Sequence, residues 1–282
     1  MSPESDVERR ELEDIEIELF IRALDLRYGY DFSGYAQASF HRRVRALHVS
    51  SGLPTISALT ARLLHDEAYL PQVIARLSVP VSEMFRSPRS FELLRREVLP
   101  VLASYPQISI WQAGCAHGEE AYSLAILLKE AGLYNRTRIY ATDISEEALS
   151  KAREGIYPLR EARLFSDNYL KAGGGGSLSD WYTALYNHIK LDESLKERIT
   201  FVNHNLVVDG VFGEMHLILC RNVLIYFGED LQQRVIGLFR DSLVRGGFLA
   251  LGDRERPVSG RFAQEFRPLV PGQPLYRRTT VS

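Results

Sequence analysis

The chain has only two cysteines in 282 residues, Cys115 and Cys220. That number provides neither a disulfide framework nor zinc-ligand spacing, and it fits a reducing, cytoplasmic setting. An excess of one charge is also missing. Lys and Arg number 34 against 36 Asp and Glu, a net charge of −2 with a pI near 6.4. A general nucleic-acid binder is usually more basic, so nucleic acid is not an expected partner. No apolar run approaches the ~20 residues needed to cross a bilayer, so no membrane insertion is expected. The opening MSPESDVERRELEDIEIELF is charged throughout and does not read as a signal peptide. The chain lacks both the Gly-Lys-Ser/Thr of a P-loop and the dinucleotide G-x-G-x-x-G. What remains is an ordinary globular composition, 45% hydrophobic and 25% charged. The length suits one large domain or two smaller ones.

The stretch that organises the chain is Ile108–Leu128, ISIWQAGCAHGEEAYSLAILL. An apolar run of β-formers leads into a turn of small residues, Gly114-Cys115-Ala116-His117-Gly118. Good helix formers with apolar residues at helical spacing follow. Strand, glycine turn and helix N-terminus together let a backbone approach a ligand and offer it free N–H groups. A second strand, Arg138–Thr142, ends at Asp143. An acid there can accept hydrogen bonds from both hydroxyls of an adenosine ribose. Asp143 can also cap the helix that begins after it, but beside the glycine turn ribose binding is the stronger reading. Without a polyphosphate cradle, the adenosine ligand indicated is S-adenosylmethionine.

Taken in order, residues 1–80 read as a small all-helical domain. Its first helix carries apolar positions Leu12, Ile15, Leu19, Phe20, Ala23 and Leu24. The second has a basic face with Arg42, Arg43 and Arg45, read as a docking surface for an acidic helix. Two short helices follow, with Pro71 in the first turn of the last. Residues 81–107 form a linker and a connecting helix, Arg89–Leu99, closed by Pro100. From Ile108 to the C-terminus strands and helices alternate, which predicts a mostly parallel sheet covered on both faces. The strands are Ile108–Ala113, Arg138–Thr142, Ile199–Asn203, Met215–Cys220 and Phe248–Leu251, with a final hairpin over 266–269 and 275–279. Residues 157–198 interrupt the alternation and read as an inserted β-rich flap, with Gly173–Gly176 as a flexible loop.

Met215–Phe227, MHLILCRNVLIYF, is a buried strand with Arg221-Asn222 at its carboxyl end, the edge where open α/β sheets bind ligands. Four stretches, VSEMFRSP, WQAGCAHGEEAYSLA, YATDISEEALSKAREGIY and LILCRNVLIYF, closely resemble the chemotaxis receptor glutamate methyltransferase (CheR) family in order and spacing. The resemblance implies an α/β fold: a Rossmann-like methyltransferase domain with a small β-rich insertion, preceded by the helical domain. It also implies methyl transfer from S-adenosylmethionine to glutamates on cytoplasmic helices of chemoreceptors or related sensors, leaving S-adenosylhomocysteine. By motif, Gly114 lines the methionine part of the cofactor, and one of Glu119 and Glu120 binds it. Asp143 holds the ribose, Asn205 and Leu206 flank the adenine, and Arg221 and Asn222 lie along the cofactor. Ser82 and Arg86 reach it from the linker, and Tyr226 stands near the reactive methyl. Some positions differ from the family pattern: Pro80 stands for Asn, Ser82 for Thr, Ala116-His117 for Ser-Thr and Ala121 for Pro.

These residue types suit the reaction. A glutamate with a pKa near ~4.3 is ionised at neutral pH, so no general base is needed. The requirement is in-line placement and removal of water. Arg86 can orient a carboxylate through its guanidinium fork, and Tyr226 can fix the trajectory. Arg42, Arg43 and Arg45 gain a role, since receptor methylation helices are acidic. A module that binds S-adenosylmethionine or S-adenosylhomocysteine without turnover is the alternative. A monomer is expected, and no metal.

Overall fold

The computed structural model describes residues 3–256 and 260–279. Elements are numbered in chain order. Helices α1 (Pro3–Tyr28), α2 (Gln37–Ser51), α3 (Ile56–His65) and α4 (Leu70–Leu77) come first. Ile17, Phe20, Leu24, Phe40, Val44, Leu59, Leu63 and Val73 form a core of their own between them. Local signals explain the boundaries. Gly52 ends α2 with a φ of 68°, a left-handed cap that glycine adopts without strain. The Thr55 hydroxyl accepts the Ala58 N–H at 3.0 Å to start α3.

Helix α1 departs from the expected register. Leu12, Ile15 and Leu19 are 60%, 54% and 58% exposed, whereas Ile17, Phe20 and Leu24 are buried. The sequence stripe merged two apolar rows on opposite faces, and only one of them enters the core. Helix α2 also corrects an expectation. Burying Phe40, Val44 and Leu47 turns Arg43 inward and leaves Arg42 in solvent. It lays Arg45 against α1, where it pairs with Glu13 and Asp14. The three arginines do not share one face.

The connecting helix does not stop at Pro100. Helix α5 (Pro88–Leu93) continues through a π turn, Leu94–Val98, into α6 (Leu99–Leu102), which has Pro100 in its first turn. The Leu99 N–H reaches the Leu94 carbonyl, and the wider π turn makes room for the proline ring.

The strands are β1 (Ile108–Ala113), β2 (Thr137–Asp143), β3 (Ile156–Pro158), β4 (Tyr182–Leu185), β5 (His188–Leu191), β6 (Ile199–Asn203), β7 (Met215–Cys220), β8 (Leu243–Leu251), β9 (Phe266–Pro268) and β10 (Leu275–Arg278). The main sheet has the order β6-β2-β1-β7-β8-β10-β9. Its first five strands are parallel, and the last two form an antiparallel hairpin. Helices α7 (Glu119–Glu130), α8 (Glu146–Glu154) and α10 (Glu229–Ser242) connect the parallel strands, and α11 (Gly260–Glu265) precedes the hairpin. Helix α7 is buried continuously from Glu119 to Leu128, with one side on the sheet core and the other under the inserted segment.

That insert carries the expected strands and adds a helix. A three-stranded sheet, β3-β5-β4, is joined by α9 (Ala162–Lys171). Nor is the glycine run merely a loose loop. The Gly176 N–H donates to the Tyr169 hydroxyl at 3.1 Å, and a Cβ on Gly174 would collide with the Tyr169 ring. Glycine is needed there because the chain crosses an aromatic face. No described helix is long and apolar enough to cross a membrane.

Candidate active site

A cleft of about 930 Å³, counting its open mouth, lies at the carboxyl ends of β1, β2, β6 and β7, with the helical segment as its far wall. Its floor is the glycine turn. Gly114 has a φ of 76°, and a Cβ there would collide with Val223 from the turn after β7. The Gly114 and Cys115 N–H groups both donate to the Thr142 carbonyl at 2.8 Å, which ties the end of β1 to that of β2. Ala116, with a φ of 50°, aims its N–H at Asp143 Oδ2, 2.9 Å away. The Ser145 N–H donates to Asp143 Oδ1 at 3.0 Å. The cap of α8 is Ser145, whose hydroxyl accepts from Ala148. The carboxylate of Asp143 is therefore anchored by backbone donors and still lines the cleft. Burial raises its pKa, and these N–H donors pull the other way.

The first turn of α7 separates the two glutamates. Glu120 lines the cleft and Glu119 does not. Glu120 Oε2 accepts from Arg221 Nη1 at 2.7 Å, in a pair almost wholly out of solvent. Burial pushes Glu120 upward against the pull of Arg221. Arg221 Nη2 donates to the Arg86 carbonyl at 2.9 Å, so the strand end also holds the linker. Glu119 is 4% exposed and points away under the insert, and burial raises its pKa to about 7. Asn222 takes a φ of 62°, and its N–H donates to Glu255 Oε2 at 2.9 Å. The same oxygen accepts the Gly252 N–H at 2.6 Å. Glu255 thus holds the ends of β7 and β8 together.

The linker is fastened at several points. The Phe85 N–H donates to Ser123 Oγ at 2.8 Å, and Asn168 from α9 donates to the Met84 carbonyl at 3.1 Å. Phe85 and Ser87 both have left-handed backbones, φ 52° and 53°. Strain of this kind persists where the surroundings over-determine a conformation. Pro80, Ser82 and Arg86 of this linker line the cleft. The far wall comes from α2 and the turn after β7. The Arg43 guanidinium lies 5.2 Å over the Tyr226 ring, 5.7 Å over Tyr35 and 5.2 Å over Phe40. Its Nη1 donates to the Leu77 carbonyl at 2.6 Å, while its buried Nη2 has no partner among the described residues. Main-chain bonds close the seam. The Ala36 N–H donates to the Tyr226 carbonyl at 2.9 Å, and the Gly228 N–H to the Gly34 carbonyl at 2.8 Å.

The cleft brings together Ser82, Arg86, Gly114, Glu120, Asp143, Asn205, Leu206, Arg221, Asn222, Tyr226 and Arg43. Glu119, Arg42, Arg45 and His117 are not in its lining. Three cleft or supporting residues escape sequence reasoning. Gln112 on β1 lines the cleft with a buried Oε1 that has no partner among the described residues. His204 is wedged between Trp111 and Phe212, with its pKa lowered by burial. Glu255 supports Asn222 from behind. A polar residue inside the apolar run of β1 was the one available signal, and it pointed to Gln112.

These residues fit S-adenosylmethionine. A glycine floor that cannot take a side chain admits a close ligand, an anchored carboxylate suits a ribose, and the orphaned Gln112 oxygen awaits a donor. The described residues contain no cluster that would hold a metal ion.

Comparison with known proteins agrees with this geometry. The family model "CheR methyltransferase, SAM binding domain" matches residues 80–268, and "CheR methyltransferase, all-alpha domain" matches residues 15–78. The chain is 46% identical over 266 residues to Cher3 of Pseudomonas putida, covering 94% of this chain and 97% of that one. It is 29% identical over 263 residues to chemotaxis protein methyltransferase 1 of Vibrio cholerae, covering 86% and 90%. It is also 29% identical over 244 residues to the chemotaxis protein methyltransferase of Listeria monocytogenes, covering 84% and 88%. Both family models fall on the two parts of the chain that enclose the cleft, so the cofactor is S-adenosylmethionine and the chain belongs to the CheR methyltransferase family.

Proposed function

We propose that this chain methylates glutamate side-chain carboxylates on cytoplasmic helices of chemoreceptors or related sensors, giving glutamate 5-O-methyl esters. In this reading residues 1–80 recognise the receptor, 81–107 link, and 108–282 carry the chemistry with the insert at 157–198. The protein acts as a cytoplasmic monomer. The observation that carries the reading is Arg43 at the seam: a half-buried guanidinium, stacked on Tyr226, with an unpartnered donor at the cofactor cleft. Such a group recognises an anion, and a carboxylate matches its fork. The names of the relatives point to the same pathway.

S-adenosylmethionine supplies an electrophilic methyl group on a sulfonium. Asp143 holds the ribose, Asn205 and Leu206 flank the base, and Glu120, braced by Arg221, holds the cationic amino-acid end. Arg86 and Ser82 close over it from the linker. Arg43 and Tyr226 orient the acceptor. The seam residues Phe32, Tyr35, Arg43, Leu77, Tyr226 and Phe227 include no carboxylate or imidazole, and none is needed. An acceptor oxygen already ionised forms the new O–CH3 bond, while the sulfur keeps the electron pair of the bond that breaks. Opposite charges cancel and no proton moves. The aromatic wall sheds the water that would otherwise hold the carboxylate back.

The test is transfer of labelled methyl to cytoplasmic receptor fragments, followed by mild alkali. Label released as methanol identifies a carboxyl ester. Alkali-stable label refutes a glutamate acceptor. Cofactor binding without transfer to any receptor fragment would favour a binding module without turnover.

A further inference from the structure

The second apolar row of α1 faces solvent with nothing packed on it in the described structure. Leu12, Ile15, Leu19 and Leu26, the last 69% exposed, recur at steps of three, four and seven residues. That is the a/d seam of a coiled coil, with Arg22 at the remaining d position. It spans about 21 Å, two heptads, on the face opposite Ile17, Phe20 and Leu24. Single exposed leucines on a monomer need no explanation, but a row in heptad register marks a contact surface.

The charges beside the row specify what covers it. Glu11, Glu18 and Asp25 recur every seven residues along the open flank, while on the other flank Glu16 already accepts the Ser57 N–H of α3 at 3.0 Å and Ala23 is buried. Arg22, within the seam, is turned onto Asp25 at 2.7 Å. The open flank is thus acidic along its length. A second copy packed antiparallel would set this flank against itself, one packed parallel would offer it no base, and an acidic receptor helix would be repelled likewise. We infer that α1 is a docking seam for an amphipathic helix of another protein, apolar at its a and d positions and carrying lysine or arginine at e and g. This partner is distinct from the methyl acceptor and lies on the outer face of the helical segment, away from the cleft.

The test uses the full chain and a fluorescent synthetic helix of roughly four heptads, with leucine at a and d and lysine at e and g. A second peptide carries glutamate at e and g. Anisotropy should show binding of the lysine peptide, weakening as salt rises, and at least ten-fold weaker binding of the glutamate peptide. Leu19→Gln and Glu18→Lys, both at exposed positions, should each lower the affinity ten-fold or more with melting temperature and cofactor affinity unchanged. Hydrogen exchange should slow over residues 11–26. Equal binding of both peptides, insensitivity to Leu19→Gln, or protection elsewhere overturns the assignment. A concentration-dependent dimer in sedimentation that Leu19→Gln dissolves overturns it in favour of self-association.

Discussion

Glu119→Gln should make the protein more stable at neutral and alkaline pH while leaving cofactor affinity alone. Glu119 opens α7 with its carboxyl buried under the insert, and Oε2 has no partner among the described residues. Burial is the main cause of its raised pKa, with Glu161 and Glu120 adding to it and a backbone hydrogen bond opposing. The folded protein therefore holds this proton more tightly than the unfolded chain. The stability tied to it is fully present below the ordinary carboxyl value near 4.5 and is lost as pH rises to about 7. That gap corresponds to at most about 3 kcal/mol, reduced somewhat because a helix N-terminus favours a carboxylate. Glutamine keeps the size and removes the charge. Thermal melts at pH 5 and pH 8 should show little difference at the first and a gain on the order of 6–10 °C at the second. A variant that is less stable at pH 8, or a difference that does not change with pH, refutes the assignment of an uncompensated buried acid. The neighbouring Glu120→Gln is the contrast. It leaves Arg221 charged and unpaired in a dry site, so it should destabilise by about 3 kcal/mol and weaken cofactor binding.

Four further outcomes follow from the cleft. Asp143→Asn should raise the cofactor Kd by about ten- to a hundred-fold in calorimetry, since a charged acceptor is replaced by a neutral one. Gly114→Ala meets both a left-handed backbone and Val223, and should abolish measurable cofactor binding while a melt still shows a folded protein. Arg43→Ala should raise KM for receptor fragments at least ten-fold without changing the cofactor Kd, and Arg43→Lys should fail to restore it because the planar fork is lost. Tyr226→Phe should lower kcat more than it changes KM, read in the methanol-release assay.

Much of this architecture is legible in the sequence. The parallel strands are short apolar runs bounded by turns, and right-handed crossovers fix the hand of each connection but not the order of the strands. Gly114 and Asp143 are legible because a left-handed turn and a strand-end acid leave local marks. Other features have no local mark. Glu255 lies 33 residues beyond Asn222 and meets it only in space. Helix α1 carries two apolar rows, and nothing within its own sequence says which one the neighbouring helices cover. Arg43 looks like one of three surface arginines until Phe40, Val44 and Leu47 set the rotation of α2. The π turn before Pro100 is a tertiary answer to a local stop signal. The insert reads as strands because Trp181–Leu185 is rich in β-formers, while α9 has only a modest stripe, Phe165 and Tyr169, on which to announce itself.

The main-chain pairing of Gly34 and Ala36 with Tyr226 and Gly228 bears on modular exchange within the family. The acceptor wall is assembled from two distant stretches, so neither carries it alone. A Cβ on Gly34 would press on Leu231 at 3.0 Å, and one on Gly228 on the Gly34 carbonyl at 3.2 Å. Grafting the first four helices of one relative onto the catalytic sheet of another therefore demands that residues 34–36 and 226–231 travel as a matched set. A chimera that moves only the helices would keep its cofactor and lose the alignment of Arg43 over Tyr226.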